Sequence, residues 1–520
     1  MNKFRFLKKT RVIIGALVLL ILSLVFLDIY HLIPVDLVQT ALSIQLTPSF
    51  INLLKAGGLA FSGFLIISAI SLLAGRIYCS TLCPLGLMMD AIIAIKRKIR
   101  KKRLRFKNSP NLKWLPYSVL FLTVLLVVLG NIQVLSLLDP YSNFGRILTV
   151  LFKPVVISLN NLLYDGLLTF SNYTLQPIDI NYSNIPVFVF VLLFFVSILV
   201  LSLVKGRWFC THICPAGAYL GLISKLSLFK IKINADKCIG CGKCERNCKA
   251  GCISTKDKTV EFSKCVMCFN CISHKCPANS ISLTHKQLLI SSGEENKTDN
   301  VKQERRRAIQ TLALSPFMIV GSALAHNEKA KVYEKRTVPI SPPGSLNHKR
   351  FTEACTACYL CVNACPSNVI KPSLTEYGIS GALLPHLTNE KGYCNLECTR
   401  CSDVCPNGAL LPVSQEEKKT LQIGIAHFVR EKCVVITDGT DCGACSEHCP
   451  TKAVNMVVEN GLFVPVVEES ICIGCGACEY ACPVTPKKAI FIEGHTIHQV
   501  ADKPNLKKLE PVNQEEDFPF

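Results

Sequence analysis

The chain has 520 residues, 50% of them hydrophobic and 18% charged, with mean hydropathy +0.35 and a formal net charge of +20. At roughly 150 residues per domain this length allows three or four domains, and the apolar composition excludes a disordered chain and points to membrane spans. Much of the positive charge flanks apolar runs, where membrane orientation explains it more simply than nucleic-acid binding does.

Five uncharged runs have, or nearly have, the roughly 20 apolar residues a bilayer crossing needs. They are Val12–Leu27, Ala56–Gly75, Trp114–Leu138, Ile185–Val204 and Ala308–Ala325. The first is extended past Asp28 by Ile29 and Tyr30. It lacks a small-residue cleavage site and reads as an anchor. Basic residues cluster before run one (Lys3, Arg5, Lys8, Lys9, Arg11) and between runs two and three (Lys96 to Lys107). The positive-inside rule then places the N-terminus and the 76–113 loop in the cytoplasm, and four crossings return the chain there at Lys205. The connections His31–Phe50 and Phe144–Tyr173 are expected on the outer side, resting in the interface, lining a pocket for an amphipathic ligand such as a quinone, or simply packing.

Cysteine is unevenly placed: four of the 29 lie in residues 1–230, nine in 238–276 and sixteen in 355–482. An odd total at short, repeated spacings fits metal clusters better than disulfides. The first four belong to an internal repeat. Gly75-Arg76-Ile77-Tyr78-Cys79, closing on Cys83-Pro84-Leu85-Gly86, recurs as Gly206-Arg207-Trp208-Phe209-Cys210, closing on Cys214-Pro215-Ala216-Gly217. Each copy follows an even-numbered run, so the four-helix unit reads as two duplicated hairpins. If helical, the two cysteines of a copy share a face, and the proline suits the first turn of a new helix. Two copies about a pseudo-twofold bring Cys79, Cys83, Cys210 and Cys214 together. Four sulfur ligands suit an Fe–S cluster or zinc, and copper less well. A dithiol–disulfide pair and buried structural cysteines are the alternatives. Arg76 and Arg207 favour thiolate over thiol beside each pair.

Cys238, Cys241, Cys244 and Cys248 have the C-x2-C-x2-C-x3-C spacing of a bacterial [4Fe–4S] ferredoxin, and Cys265, Cys268, Cys271 and Cys276 form a second such motif. Three closely spaced thiolates wrap one cube, and the fourth cysteine reaches its neighbour. Gly240 and Gly242 let the backbone approach the inorganic sulfurs. A zinc ribbon needs two separated C-x2-C knuckles instead. Lys249 stands where proline is usual, and Cys252 is a spare thiol.

Residues 286–304 read as a linker. Arg305-Arg306-Arg307, an apolar run and Ala323-Leu324-Ala325 resemble an internal twin-arginine signal or fifth span over 305–325. If it crosses, residues 326–520 lie outside. That region carries four more motifs: Cys355, Cys358, Cys361, Cys365; Cys394, Cys398, Cys401, Cys405; Cys433, Cys442, Cys445, Cys449; and Cys472, Cys475, Cys478, Cys482. Each ends in Cys-Pro, and two have widened first gaps. The expected fold class is an α-helical membrane domain (1–230, four helices plus a fifth span) with α+β ferredoxin-like [4Fe–4S] domains at 231–285 and 326–520. Strands are expected at Val454–Val458 and Leu462–Val467.

This order of parts resembles NapH (about residues 1–285) joined to NapG (about 300–490), the quinol dehydrogenase polyferredoxins of periplasmic nitrate reduction. It is similar also to the MauN/MauM pair. The resemblance implies quinol as donor, six or seven [4Fe–4S] clusters, and a periplasmic reductase or cytochrome as acceptor, in the inner membrane with membrane lipids around it. A CcoG-type copper reductase or assembly factor is the second resemblance, and a transmembrane redox sensor the third reading. No nucleophilic triad, Gly-rich nucleotide loop, haem-attachment motif or DNA-binding pattern accompanies them. Asp28, His31, Asp139 and Arg146 stand near outer span ends, where a quinol site needs a proton acceptor, but interfacial anchoring explains each equally.

Overall fold

The computed structural model of the protein describes residues 2–55, 62–99, 106, 114–180, 184–273, 276–285 and 336–503. The fifth apolar run, the Arg305–Arg307 motif and the 286–304 linker lie outside the described residues.

The membrane part is helical: α1 (Asn2–Leu27), α2 (Val35–Ser43), α3 (Leu46–Lys55), α4 (Ser62–Ala74), α5 (Tyr78–Thr81), α6 (Pro84–Ile99), α7 (Leu115–Val128), α8 (Gln133–Leu138), α9 (Pro140–Ile147), α10 (Lys153–Leu168), α11 (Ile185–Lys205), α12 (Trp208–His212) and α13 (Pro215–Ser224). Among the described residues three helices are long and apolar enough to cross a membrane: Phe6–Leu27, Pro140–Leu168 and Ile185–Lys205. α2 and α3 bend by 88° and together have the apolar length of a broken span or a re-entrant loop, while α4 and α7 are shorter apolar helices.

Three details differ from the sequence expectation. α1 stops at Leu27 because the Asp28 carboxylate accepts from the Leu32 and Ile33 amides at 3.1 and 2.9 Å, turning the chain rather than extending the helix to Tyr30. The run Trp114–Leu138 is not one helix. It breaks where Gly130 takes φ +82° and Asn131 accepts from the Gln133 amide. The expected connection Phe144–Tyr173 is mostly helix. Asp139 accepts from the Ser142 amide and Pro140 occupies the first turn, so the helix starts firmly. Pro154, which lacks an N–H, is preceded by a π-helical turn, Leu148–Phe152, and the helix continues through it as α10.

The cluster-bearing domain nearer to the membrane part in the chain, here the inner domain, pairs β1 (Phe229–Ile233) with β4 (Ile281–His285), and β2 (Ile253–Ser254) with β3 (Thr259–Val260), all antiparallel. The distal domain pairs β5 (Ile370–Pro372) with β6 (Pro385–Leu387), β7 (Leu421–Phe428) with β10 (Ile490–Val500), and β8 (Val454–Glu459) with β9 (Leu462–Val467). The last pair contains the expected strands. Its turn is Asn460-Gly461, both at positive φ, as a tight hairpin requires.

The two domains occupy opposite ends of α1. Its N-terminal part packs on the helix Asn270–Ser273, and its C-terminal end meets the helix Leu360–Ala364, where Asn363 Nδ2 donates to Val25 O at 3.3 Å. One buried apolar cluster runs from Leu85, Met89 and Ile147 of the membrane part into Phe351 and Tyr359 of the distal domain.

Candidate cluster-binding sites

Each regular C-x2-C-x2-C motif bends the same way. The residues on either side of its second cysteine take positive φ: Gly240 and Gly242, Met267 and Phe269, Ala357 and Tyr359, Gly474 and Gly476. Two such residues turn successive amides toward one point and build an anion-binding nest. Glycine does this freely. Met267, Phe269, Ala357 and Tyr359 do it at a cost of roughly 1–2 kcal/mol each. The requirement is therefore conformational, where the sequence had pointed to small size. The two widened motifs depart from it: Thr399 and Gly443, after Cys398 and Cys442, have φ −113° and −122°.

The thiols gather across motifs rather than within them. Cys355, Cys358 and Cys361 lie in electrostatic contact with Cys405, and Cys394, Cys398 and Cys401 with Cys365. Cys472, Cys475 and Cys478 face Cys449. Cys433, Cys442 and Cys445 line one cavity with Cys482. In the inner domain Cys265, Cys268 and Cys271 line a cavity with Cys248. Cys238 and Cys241 neighbour Cys244, which leaves Cys276 as the remaining thiol for that set. Four thiols with otherwise apolar surroundings, as the two cavities show, fit [4Fe–4S] cubes in these swapped sets. Burial pushes the Cys358 and Cys475 thiols up to about 12, so loading metal there displaces protons. The distal sets are chained: Cys361 lies near Cys401, and the Cys394 amide donates to Cys475 O at 2.9 Å.

The structure also brings Cys79, Cys83, Cys210 and Cys214 together. All four are buried, at 3–5% exposure, and Cys83 lies in electrostatic contact with the other three. The two cysteines of a copy are not on one continuous helix. Each first cysteine sits in a short helix, α5 or α12, and each second cysteine precedes the proline that opens α6 or α13. The copies interlock through their arginines. Arg76 donates to Cys210 O at 2.7 Å, and Arg207 donates to Cys79 O at 2.5 Å. Gly86 and Gly217 make room for these carbonyls: a Cβ there would lie 2.6 Å from Cys79 O and 2.2 Å from Cys210 O. Arg76 also points Nη2 at the Cys79 sulfur, 3.9 Å away.

The same arginines hold the inner domain. Arg76 Nη1 donates to Ser263 O at 2.9 Å, two residues before Cys265. The Arg207 amide donates to Lys249 O at 3.1 Å, one residue after Cys248. Both loops belong to the same thiol set. Four positions after Gly86 stands Asp90, which binds Arg207 at 2.8 Å, Lys249 at 3.1 Å and Arg11 at 3.2 Å. Burial opposes its charge, but Arg207, Lys249 and Arg11 hold its carboxyl well below the usual range. The matching position after Gly217 is Gly221, and Ser263 O fills that space. Sequence reasoning missed Asp90. Its signal was a carboxylate at position seven of an otherwise apolar helix start, Pro84-Leu-Gly-Leu-Met-Met-Asp90. Cys252, the spare thiol, lies 3.4 Å from Cys248 Sγ in the same cavity.

Of the residues named for a proton acceptor, Asp28 caps the turn after α1. His31 is half-buried with φ +55°. Asp139 is fully buried and accepts from Thr47 Oγ1 at 2.5 Å, and Arg146 is fully buried among backbone carbonyls.

Thiol sets in these nests define a membrane-associated, multi-cluster iron–sulfur protein of the electron-transfer class. Sequence comparison agrees. A 4Fe-4S binding domain matches twice, at residues 56–102 and 187–234, another matches 230–253, and 4Fe-4S dicluster domains match 354–410 and 439–485. The chain is 30% identical over 210 residues (38% of this chain, 87% of the relative) to the methylamine utilization ferredoxin-type protein MauM of Methylobacillus flagellatus. It is 28% identical over 188 residues (34% and 80%) to the ferredoxin-type protein NapG of Escherichia coli, and 25% identical over 164 residues (31% and 92%) to NapF of the same organism. The chain belongs to the Nap/Mau-type polyferredoxins. No solved structure matches it.

Proposed function

We propose that the protein carries electrons from the quinol pool across the inner membrane to a periplasmic reductase or cytochrome. In this reading Cys79, Cys83, Cys210 and Cys214, from two duplicated hairpins, hold a redox or metal centre, a seventh [4Fe–4S] cluster by first choice. The six swapped thiol sets hold six more. Bound there, the clusters supply one-electron transfer. Arg76 and Arg207 keep positive charge beside the four thiolates and fix the neighbouring thiol set against them. The observation that carries the reading is position: the four converging thiols lie between the Cys238–Cys276 and the Cys355–Cys482 groups of cluster motifs. Gly15 of α1 packs beside Ser80, next to Cys79, and Phe26 of α1 packs at Gly145, which faces Cys358. The eleven residue steps of helix from Gly15 to Phe26 span roughly 16 Å. In this reading residues 205–285 face the cytoplasm, as the positive-inside rule expects, and residues 326–520 lie outside because the fifth apolar run crosses.

The test is anaerobic purification in detergent, with iron, acid-labile sulfide and EPR measured before and after a reduced quinol analogue is added. Quinol should reduce the clusters of the parental protein. Cys83→Ala and Cys214→Ala should each abolish that reduction while the six ferredoxin-type clusters remain. Parental rates in both variants would make the four cysteines structural.

A further inference from the structure

The chain contains three Gly-Arg dipeptides: Gly75-Arg76, Gly145-Arg146 and Gly206-Arg207. The first and third belong to the cysteine repeat, and each holds a loop of the inner domain. A Cβ at Gly75 would lie 2.9 Å from the Phe262 ring, and one at Gly206 would lie 2.4 Å from Lys249 O. The middle dipeptide belongs to no motif, yet it makes the same kind of contact at the other end of the membrane part. Arg146 donates from Nε to Ala357 O at 2.9 Å and from Nη2 to Thr356 O at 2.8 Å. A Cβ at Gly145 would lie 2.3 Å from Cys358 O. Glycine and arginine thus grip three consecutive carbonyls, Thr356 to Cys358, on the loop between the first two cysteines of the distal domain.

Around this dipeptide the donors run mostly one way. Ser136 donates to Thr356 O at 2.8 Å, Gln133 to Ser380 O at 2.6 Å, Asn52 to Pro406 O at 3.0 Å and Lys153 to Asn363 O at 3.2 Å. The membrane part offers side chains and the distal domain offers backbone carbonyls. Such a surface reads the shape of a cluster-binding loop, not its side chains. Arg146 is 1% exposed and donates only to neutral oxygens; two of its five acceptors are the distal carbonyls of Thr356 and Ala357, so losing that loop leaves its guanidinium short of partners.

We propose that Gly145-Arg146 is a docking socket that holds the four-motif domain to the membrane part without need of the covalent link, presenting the Cys355, Cys358, Cys361 and Cys405 set as its membrane-facing site. The assignment of that set as the point of electron entry rests on the proposed function. The docking itself does not.

The experiment uses the full-length, cluster-loaded protein in detergent, with a protease site inserted within residues 326–335. After cleavage, the fragment beginning near residue 336 should co-elute with the membrane part in size-exclusion chromatography. In Gly145→Val and Arg146→Glu it should separate, with iron content unchanged, and Arg146→Lys should retain more of it than Arg146→Glu. Release of the fragment from the parental protein, or full co-elution in both disruptive variants at parental iron content, overturns the proposal. Co-elution without any reduction by quinol supports the socket and counts against the proposed function instead.

Discussion

Lys249 Nζ stands 3.1 Å from the Asp90 carboxylate. One residue follows a cluster cysteine of the inner domain and the other lies on a membrane-part helix, so the pair joins the two parts at a buried point. Lys249 replaces the proline usual after the fourth cysteine of such a motif, and the replacement has a function that proline cannot supply.

Asp90→Asn should destabilise the protein by about 3–5 kcal/mol, because it leaves Arg207, Lys249 and Arg11 buried around a neutral group. Lys249→Gln removes one of three cations and should cost less, on the order of 1–3 kcal/mol. Thermal unfolding in detergent ranks them. A larger loss in Lys249→Gln than in Asp90→Asn would contradict the network.

The swapped sets predict which substitutions share an outcome. Cys449→Ala and Cys475→Ala should abolish the same EPR signal, since both thiols face one site. Cys482→Ala should abolish a different one, that of the cavity lined by Cys433, Cys442 and Cys445. Each should lose about 4 Fe, more where the paired site fails with it. If Cys449→Ala matches Cys445→Ala instead, the thiols group within motifs.

Gly217→Ala places a methyl 2.2 Å from Cys210 O and 2.7 Å from Arg76 Nη2. It should push the two repeat copies apart, destabilise by roughly 1–3 kcal/mol, and disturb the four membrane thiols while the distal sets keep their iron. An alkylation assay on the membrane thiols reads this. Unchanged protection of Cys210 and Cys214 would mean that the carbonyl contact is dispensable.

Buried His386 is held neutral, its pKa lowered to about 4 by burial and then by Arg336 and Lys371. The unfolded chain takes up this proton near pH 6.5 and the folded one only near 4, so stability falls as pH drops through that window. The loss from this one group is on the order of 3 kcal/mol at its full extent. His386→Gln should lessen the fall in unfolding midpoint between pH 7 and 5. A pH slope unaltered by the substitution would exclude this histidine as the cause.

Opposite sidedness of the two cluster-bearing regions can be checked with membrane-impermeant labelling of a tag. A tag after Phe520 should react in intact cells, and one at 291–300 should not. Equal protection of both would place all six motifs on one side.

The cysteine positions were legible because their spacing is chemistry written in one dimension. The strands at Val454–Val458 and Leu462–Val467 were legible for a similar reason, since a short run rich in β-branched residues is a local signal. Positions that depend on a remote partner were not. Arg146 read as a span-end anchor because its partners, Thr356 and Ala357, lie more than 200 residues away. Asp90 passed unnoticed because its meaning comes from Arg207 and Lys249. Helix breaks at Gly130 and the turn before Pro154 were hidden inside apolar runs, where hydropathy averages over the very residue that bends the chain.

Because fourth cysteines are exchanged, each pair of sites closes in a nested order as the chain emerges. Cys365 waits for Cys394, Cys398 and Cys401, and that site is complete at Cys401. The site begun earlier at Cys355 closes only at Cys405. The same holds for Cys449 with Cys478, enclosed by Cys433 with Cys482. The later-begun site of a pair is always finished first, like the inner of two brackets. Truncation anywhere inside a bracket leaves the outer site at least one thiol short, so the natural unit of duplication, loss or grafting in this chain is two motifs and never one.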